Sequence, residues 1–317
     1  MTRALLITNP AAARTDPIAV ELVMATLRGA GWDAEVLATG GPGDAGRLAA
    51  YAVQEKMDVC AVFGGDGTTM QAAAALVGSD VTLGLIPGGT GNLLAGNLRI
   101  PLSPARAAKV LVTGVPRRID LGRLDRETGS DYFAVACGAG YDALIMTRTR
   151  SEHKRRWGML AYVATTLQFI GEIRSQQHQI TVDGVEYDAH ASMVLVANCG
   201  EVFPPLIKMR TGIEPDDGLL DVVVLRANGL GESVRAVWDL LREGHGGDAF
   251  VGYARGRVIR VETHPVQPMQ LDGDAGGSTP FTATCVPGAI SIMTPAPPAQ
   301  ESRARKFNLT DRSGRHG

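Results

Sequence analysis

The sequence has no closely spaced cysteines, no long apolar run and no excess of one charge. Its four cysteines form no Cys-x-x-Cys pair, which argues against a disulfide framework and a zinc site. Three of them lie in apolar runs, so we expect buried free thiols in a reducing compartment. No apolar run reaches the ~18 residues of a membrane span, and no charged segment precedes a long apolar one, so we expect no signal peptide. With 31 Lys and Arg against 33 Asp and Glu, the chain gives no indication of a nucleic-acid partner.

Glycine is more abundant than in an average protein. The 317 residues include 39 glycines, well above the usual ~7%, and glycine is favoured where a turn is sharp or a backbone approaches a ligand closely. Hydrophobic residues make up 45% and charged residues 20%, as in a folded protein. The length favours two domains over one.

The first third of the chain alternates strands and helices. Because the apolar run at 59–63 is uninterrupted, it is typical of a parallel strand covered on both faces. Asp16 and Pro17 predict a helix start, and Gly29 predicts its end. The pattern predicts an α/β domain with an open parallel sheet. Its predicted strands are 5–8, 33–37, 59–63 and 81–86, and its predicted helices are 18–28, 44–54, 68–76 and one that begins at Ser103-Pro104 and ends at Gly114.

Strand-like segments dominate after residue 119. They predict a second, mostly antiparallel domain that resembles a β-sandwich, with Asp183-Gly184 as a two-residue hairpin turn. The predicted strands are 132–137, 179–182, 192–196, 220–225, 258–262 and 289–293, and the predicted helices are 158–173 and 232–242. We therefore divide the chain into domains 1–119 and 120–294, whose last strands can return to the first domain, and a disordered tail, 295–317.

Two glycine-rich segments each follow a buried strand and open a helix. In the first, Gly64, Gly65 and Gly67 permit a close approach to phosphate oxygens, and Asp66 suits Mg²⁺. The segment is not a Walker A loop, because no Lys-Ser/Thr follows. The second segment runs Pro-Gly-Gly-Thr-Gly-Asn over residues 87–92. A simple strand-to-helix turn is the alternative interpretation of each segment. Two glycine-rich segments in successive strand–helix units would line one ligand-binding crevice.

These two segments closely resemble the catalytic domain of diacylglycerol and sphingosine kinases and their bacterial lipid-kinase relatives. Further matches are Asn9-Pro10, Thr39 and the segments Ile119–Gly122, Gly138–Ala143 and Asp216–Asp221. The resemblance covers residues 3–293 and implies the two-domain fold, ATP and Mg²⁺ as cofactors, and transfer of the γ-phosphate to a lipid hydroxyl. It favours diacylglycerol as the acceptor, which would give phosphatidic acid.

The resemblance also implies the site residues. The residues implied for nucleotide binding are Asn9, Thr39, Gly64, Gly65, Asp66, Gly67, Thr68, Gly88, Gly89, Thr90, Gly91 and Asn92. The residues implied for metal binding are Asp66 and Asp120 with the nucleotide, and Glu214, Asp217 and Leu219 at a structural Mg²⁺ site, with an ordinary β-turn as the alternative there.

Three carboxylates are the predicted catalytic residues. Asp66 and Asp120 are expected to hold Mg²⁺, and Asp274 is expected to deprotonate the acceptor hydroxyl. The family usually has Glu where this chain has Asp274, and Asp is one methylene shorter. Because these acids come from both domains, we expect an active site in the cleft between them. For each acid, a surface or turn carboxylate is the alternative.

The expected partner is a lipid substrate at a membrane surface. A basic run at 148–157 leads into the apolar-rich segment 158–173, which suits peripheral contact with an anionic bilayer; a solvated helix entry is the alternative. We expect a cytoplasmic protein at the inner face of the membrane, and a homodimer is compatible with it.

Two other functions remain open. An NAD kinase shares the Gly-Gly-Asp-Gly-Thr loop, but residues 86–92 have the lipid-kinase form, and the Asn-Glu pair of NAD kinases is missing. The second is that of a non-catalytic nucleotide- or lipid-binding protein. It stays open because Asp274 stands where the family usually has its catalytic Glu.

Overall fold

The structure, a computed structural model, describes residues 1–140, 175–203, 207–208, 212–226, 232 and 251–297. Within these ranges the strands form a ten-stranded sheet, a six-stranded sheet and one two-stranded ribbon. The predicted segments 148–157 and 158–173 lie outside the described residues, as do nearly all of the predicted helix 232–242 and the tail from residue 298. None of the helices in the described part is long and apolar enough to cross a bilayer.

The first part of the ten-stranded sheet is parallel. Its order is β2-β1-β3-β4, formed by β1 (Arg3–Thr8), β2 (Asp33–Ala38), β3 (Val59–Gly64) and β4 (Thr82–Pro87). Every residue of β3 is buried, as its uninterrupted apolar sequence predicts. The predicted α/β class is confirmed.

Five helices accompany these strands. They are α1 (Pro17–Gly29), α2 (Asp44–Gln54), α3 (Asp66–Leu76), α4 (Leu93–Asn97) and α5 (Pro104–Thr113). α1 packs against α5, and α2 packs against α3. The predicted start of α1 is confirmed, because the Asp16 carboxylate accepts the Ala19 N–H at 2.8 Å and Pro17 is the first helical residue.

The same sheet continues into the second half of the chain. The long strand β18 (Phe281–Thr294) is parallel to β4 and antiparallel to β5 (Val115–Arg126) and β15 (Val258–His264). The remaining strands are β6 (Gly129–Phe133), β8 (Gln176–Val182) and β9 (Val185–Ala191). Residue 119, where we placed the domain boundary, therefore lies inside β5, and the chain returns to the first sheet through β18.

The six-stranded sheet is antiparallel throughout. Its order is β14-β13-β10-β7-β16-β17, formed by β14 (Val251–Gly256), β13 (Leu220–Leu225), β10 (Met193–Ala197), β7 (Ala136–Gly140), β16 (Pro268–Leu271) and β17 (Asp274–Ser278). Buried Phe281 and Val261 of the first sheet belong to one apolar cluster with Val194 and Val222 of this sheet. The two sheets thus pack face to face, as the predicted sandwich requires. The two-stranded ribbon consists of β11 (Glu201–Phe203) and β12 (Ile207–Lys208).

One predicted strand is wrong and one predicted turn is confirmed. Residues 132–137 do not form one strand: β6 ends at Phe133, and β7 begins at Ala136 in the other sheet. Asp183 and Gly184 both have positive φ, +48° and +87°, and connect β8 to β9 as a two-residue hairpin turn.

The cysteines are buried and unpaired, as predicted. All four are described, and all are free. Burial raises the pKa of the Cys60 and Cys285 thiols to about 12, so both stay protonated at neutral pH.

Candidate functional site

The two glycine-rich turns are stacked against each other at the carboxyl ends of β3 and β4. The Gly88 N–H donates to the Gly64 carbonyl at 2.8 Å. A Cβ atom on Gly89 would lie 2.7 Å from the Cα of Gly65, and one on Gly88 would lie 2.9 Å from Thr15 Oγ1. Since real Cβ atoms essentially never come within 3.0 Å of another heavy atom, and the Cα of Gly65 belongs to the backbone, position 89 requires glycine.

The segment after β1 closes over the turns. Asn9 Nδ2 donates to Thr68 Oγ1 at 2.8 Å, and the Arg14 N–H donates to the Gly88 carbonyl at 3.0 Å. Thr39 follows β2 on the same edge, where its N–H donates to the Thr8 carbonyl at 2.8 Å. The predicted nucleotide residues from four strand ends therefore lie along one edge of the sheet, as open α/β sheets present ligand-binding residues.

The second turn uses its own polar groups internally. The Gly89 N–H donates to Asn92 Oδ1 at 3.0 Å, and Asn92 Nδ2 donates to the Gly89 carbonyl at 2.8 Å. Asn92 is buried, whereas Thr90 is exposed. Of these predicted nucleotide residues, Asn92 shapes the turn and Thr90 faces solvent.

Asp66 joins the two turns. Its carboxylate accepts the N–H groups of Asn92 and Leu93, both at 2.7 Å. A Cβ on Gly91 would lie 2.6 Å from Asp66 Oδ2. Burial raises the pKa of Asp66, the two N–H groups lower it, and the charge of Asp274 raises it. Each carboxylate oxygen retains a second lone pair after these bonds.

Asp274 reaches the same place from the opposite sheet. It begins β17, directly after the turn formed by Asp272 and Gly273. A Cβ on Gly67 would lie 3.7 Å from Asp274 Oδ2, so this carboxylate lies beside the first turn of α3. Helix N-termini favour negative charge. The structure thus brings together Asp66 and Asp274, two of the three predicted catalytic acids.

Asp272 was not among the predicted site residues. It is partly buried, and its carboxylate accepts the N–H groups of Ala134, Val135 and Ala136 at 2.8–2.9 Å. These amides lie where the chain passes from β6 to β7. The Asp272 carboxylate therefore links this connection to the turn that precedes Asp274. Asp-Gly is a strong signal for a two-residue hairpin, and it could have identified this turn.

Asp272 should give stability a distinctive pH dependence. Burial raises its pKa from 3.8 to about 6, the three N–H groups oppose this, and Asp66 adds to it. The folded state then binds the proton more tightly than the unfolded state. The contribution of Asp272 to the free energy of unfolding should therefore fall as the pH rises from about 4 to about 6. Guanidinium unfolding of the wild type and Asp272→Asn at several pH values measures this difference. A difference between the two proteins that is constant with pH would contradict it.

Asp120 lies with a different group of residues. Its carboxylate accepts the N–H groups of Gly218 at 2.6 Å and Gly288 at 2.7 Å, and its own N–H donates to the Pro215 carbonyl. In the described part of the chain, none of its hydrogen-bonding partners comes from the glycine-rich turns. In this part of the chain Asp120 therefore shares no hydrogen-bonding partner with Asp66.

Asp217, one of the predicted structural metal ligands, contacts groups of its own chain. Asp217 Oδ1 accepts the Leu219 N–H at 3.0 Å, and Asp217 Oδ2 lies 3.3 Å from Arg255 Nη2. Glu214 is exposed beside them. Nowhere among the described residues do three or more His, Cys, Asp or Glu side chains converge as metal ligands. Because Leu219 can offer an ion only its backbone carbonyl oxygen, the site at Glu214, Asp217 and Leu219 stays a prediction.

Known proteins match this chain over both halves. Residues 3–124 match the family profile of the diacylglycerol kinase catalytic domain, and residues 135–294 match that of the YegS C-terminal NAD kinase beta sandwich-like domain. A diacylglycerol kinase of Mycobacterium tuberculosis is 28% identical over 91% of this chain and 94% of its own length. A Xanthomonas oryzae protein, described as a probable lipid kinase YegS-like, is 29% identical over 89% and 93%.

A solved structure is similar over nearly the same range. The crystal structure of a Bacillus anthracis protein, described as a candidate diacylglycerol kinase, has a TM-score of 0.79 and 25% identity over 92% of this chain and 96% of its own. The first profile covers all the residues of the stacked turns, and the second covers the whole six-stranded sheet. The chain belongs to the lipid kinase family of the diacylglycerol kinases and YegS-like proteins.

Proposed function

We propose that this protein transfers the γ-phosphate of MgATP to the hydroxyl of a lipid, with diacylglycerol as the acceptor and phosphatidic acid as the product. One observation carries the proposal: Asp274 reaches the first turn of α3 from the opposite sheet, beside the stacked glycine-rich turns. A carboxylate that we assign as the base therefore lies beside the backbone that we assign to the phosphates, and transfer between a nucleotide and an alcohol needs both at one place.

The start of α3 is the part that we assign to the phosphates. The first N–H groups of a helix have no acceptor within it, so those of Gly67 and Thr68 are suited to phosphate oxygens. The Gly89 N–H is already bound to Asn92, which leaves the first turn as the main donor. Asp66 is assigned to a water ligand of the nucleotide's Mg²⁺, through the lone pairs that the amides leave.

Asp274 is assigned to the acceptor hydroxyl. A carboxylate at this place can orient the hydroxyl and take its proton as the oxygen attacks the γ-phosphorus, while ADP leaves on the other side. A lipid acceptor also implies peripheral contact with a membrane surface. We propose that contact, and a cytoplasmic location at the inner face, as part of the same function.

NAD is the second candidate acceptor. The profile that matches residues 135–294 describes an NAD kinase beta sandwich-like domain, which is a specific reason to test NAD. The two acceptors can be compared in parallel: the purified protein is incubated with γ-labelled ATP and Mg²⁺, with either diacylglycerol in mixed micelles or NAD. Label in phosphatidic acid is expected. Label in NADP instead would replace the proposed acceptor, and no label with either, or with other lipid alcohols, would contradict kinase activity.

A further inference from the structure

A buried asparagine forms hydrogen bonds between the two sheets. Asn198 directly follows β10 of the six-stranded sheet and is fully buried. Its Nδ2 atom donates to the Asp120 carbonyl on β5, in the ten-stranded sheet, at 2.9 Å. The same Nδ2 donates to the Ala134 carbonyl, between β6 and β7, also at 2.9 Å. Because both carbonyl oxygens bond to one nitrogen atom, a single amide group limits the distance between them.

The backbone between β6 and β7 has both its donors and its acceptors bonded. We call residues 134–136 the connecting segment. Asp272 accepts the three N–H groups of this segment. Asn198 bonds two of its carbonyls, that of Ala134 through Nδ2 and that of Val135 through its own N–H at 2.8 Å. The connecting segment can therefore shift only if bonds to Asp272 or Asn198 break.

These contacts lead to Asp274. Asp272 and Gly273 form the turn that precedes Asp274, so a shift of the connecting segment would move that turn through the Asp272 carboxylate. Asp274 belongs to the six-stranded sheet, whereas α3 follows β3 of the ten-stranded sheet. The distance between Asp274 and α3 therefore depends on how the two sheets are held together. Asn198 holds them together beside the turn that carries Asp274.

The Asp120 end of this link is anchored to the first sheet. The Asp120 carboxylate accepts the N–H of Gly288, a residue of β18, at 2.7 Å. β18 pairs with β5 and also with β4, the strand that leads into the second glycine-rich turn. The carbonyl that Asn198 bonds on β5 is thus connected by strand pairing to the glycine-rich turns.

We propose that Asn198 is a positioning residue for phosphoryl transfer, which sets the place of Asp274 relative to the first turn of α3. The proposal rests on the proposed function and on the role assigned there to Asp274. Asn198 acts through the connecting segment and Asp272, without contact to the nucleotide or the acceptor. Its loss should therefore affect the rate of transfer and leave the binding of ATP unchanged.

The first test compares Asn198→Ala with the wild type in label transfer from ATP to diacylglycerol. A displacement of about 1 Å in a reacting group can cost about 10²-fold in rate, so kcat should fall by about 10-fold to 100-fold. The KM for ATP should stay within about twofold of the wild-type value. A kcat equal to that of the wild type would overturn the proposal. A wild-type protein that transfers no label would instead refute the proposed function, so the two failures are distinct.

A double variant separates the positioning of Asp274 from a general role in the fold. If Asn198 acts through Asp274, its loss should matter little once residue 274 can no longer take a proton. Asn198→Ala should then lower the kcat of Asp274→Asn by less than about threefold. The same fold-loss in the wild-type and Asp274→Asn backgrounds would mean that Asn198 only supports the fold, and would overturn the proposal.

Ser192→Ala is the matched control. Ser192 is buried at the other end of β10, where its hydroxyl donates to the Leu225 carbonyl at 3.1 Å. This variant should melt at a lower temperature and keep the wild-type kcat. Asn198→Ser keeps a donor on a shorter side chain and should have an intermediate kcat. It takes the place of Asn198→Ala if that variant does not fold, and a folded Asn198→Ser protein with full kcat would then overturn the proposal.

Discussion

Replacing Asp274 with asparagine should lower kcat for the lipid acceptor by about 10²–10⁴-fold, the usual contribution of a general base. Asparagine has nearly the same shape but cannot take a proton at neutral pH. The KM for ATP should stay close to the wild-type value, because the phosphates are assigned to backbone N–H groups of α3. Initial rates of label transfer at saturating lipid and varied ATP would measure both constants.

Two variants control this experiment. Asp125→Asn alters an exposed carboxylate that binds Arg123 and Ser130 on the β5–β6 hairpin, so its kcat should be unchanged. Asp274→Glu restores the residue that the family usually has, and should retain a substantial part of kcat. An Asp274→Asn protein with more than about a third of wild-type kcat would exclude Asp274 as a base, since one lost base costs at least about two orders of magnitude.

Replacing Asp66 with alanine should abolish detectable turnover and also weaken the fold. Alanine removes the assigned contact to the nucleotide's Mg²⁺ water and leaves the N–H groups of Asn92 and Leu93 without their acceptor. A buried N–H that loses its partner costs about 1–3 kcal/mol, so the free energy of unfolding should fall by at least about 2 kcal/mol. Activity assays and guanidinium unfolding measure the two effects.

Asp58→Ala is the matched control for Asp66→Ala. The Asp58 carboxylate also accepts a backbone N–H, that of Arg3 at 2.7 Å, but at the amino ends of the strands, away from the glycine-rich turns. It should lose some stability and keep full turnover. Near-normal turnover of a folded Asp66→Ala protein would refute the assigned role.

The parallel half of the fold was predictable because its signals are local. An uninterrupted apolar run predicts β3, and Asp16 with Pro17 predicts the start of α1. Most of β18 was not predictable, and only its end at 289–293 was identified. Its residues alternate between buried and partly exposed while it pairs with β15 and β5, and then become almost continuously buried beside β4. That change depends on partners distant in sequence.

The candidate site shows the same division. Glycine turns after buried strands are local patterns, so Gly64, Gly65 and Gly89 were correctly expected to be close together. The bonds of Asp66 to the second turn depend on the packing of two loops 26 and 27 residues apart in the chain, which no spacing rule contains. Asp272 was missed for the same reason, since its acceptor role depends on where β6 ends.

The strand β18 has a consequence for how the two halves of the fold are held together. It runs from its pairing with β15, in the sandwich, to its pairing with β4, beside the glycine-rich turns. Its register with β5 shifts between Val286 and Ile290, and Gly288 within this stretch has a φ of +55°. Because a bulge bends a strand locally, the angle between the two halves of the sheet is set at this short stretch.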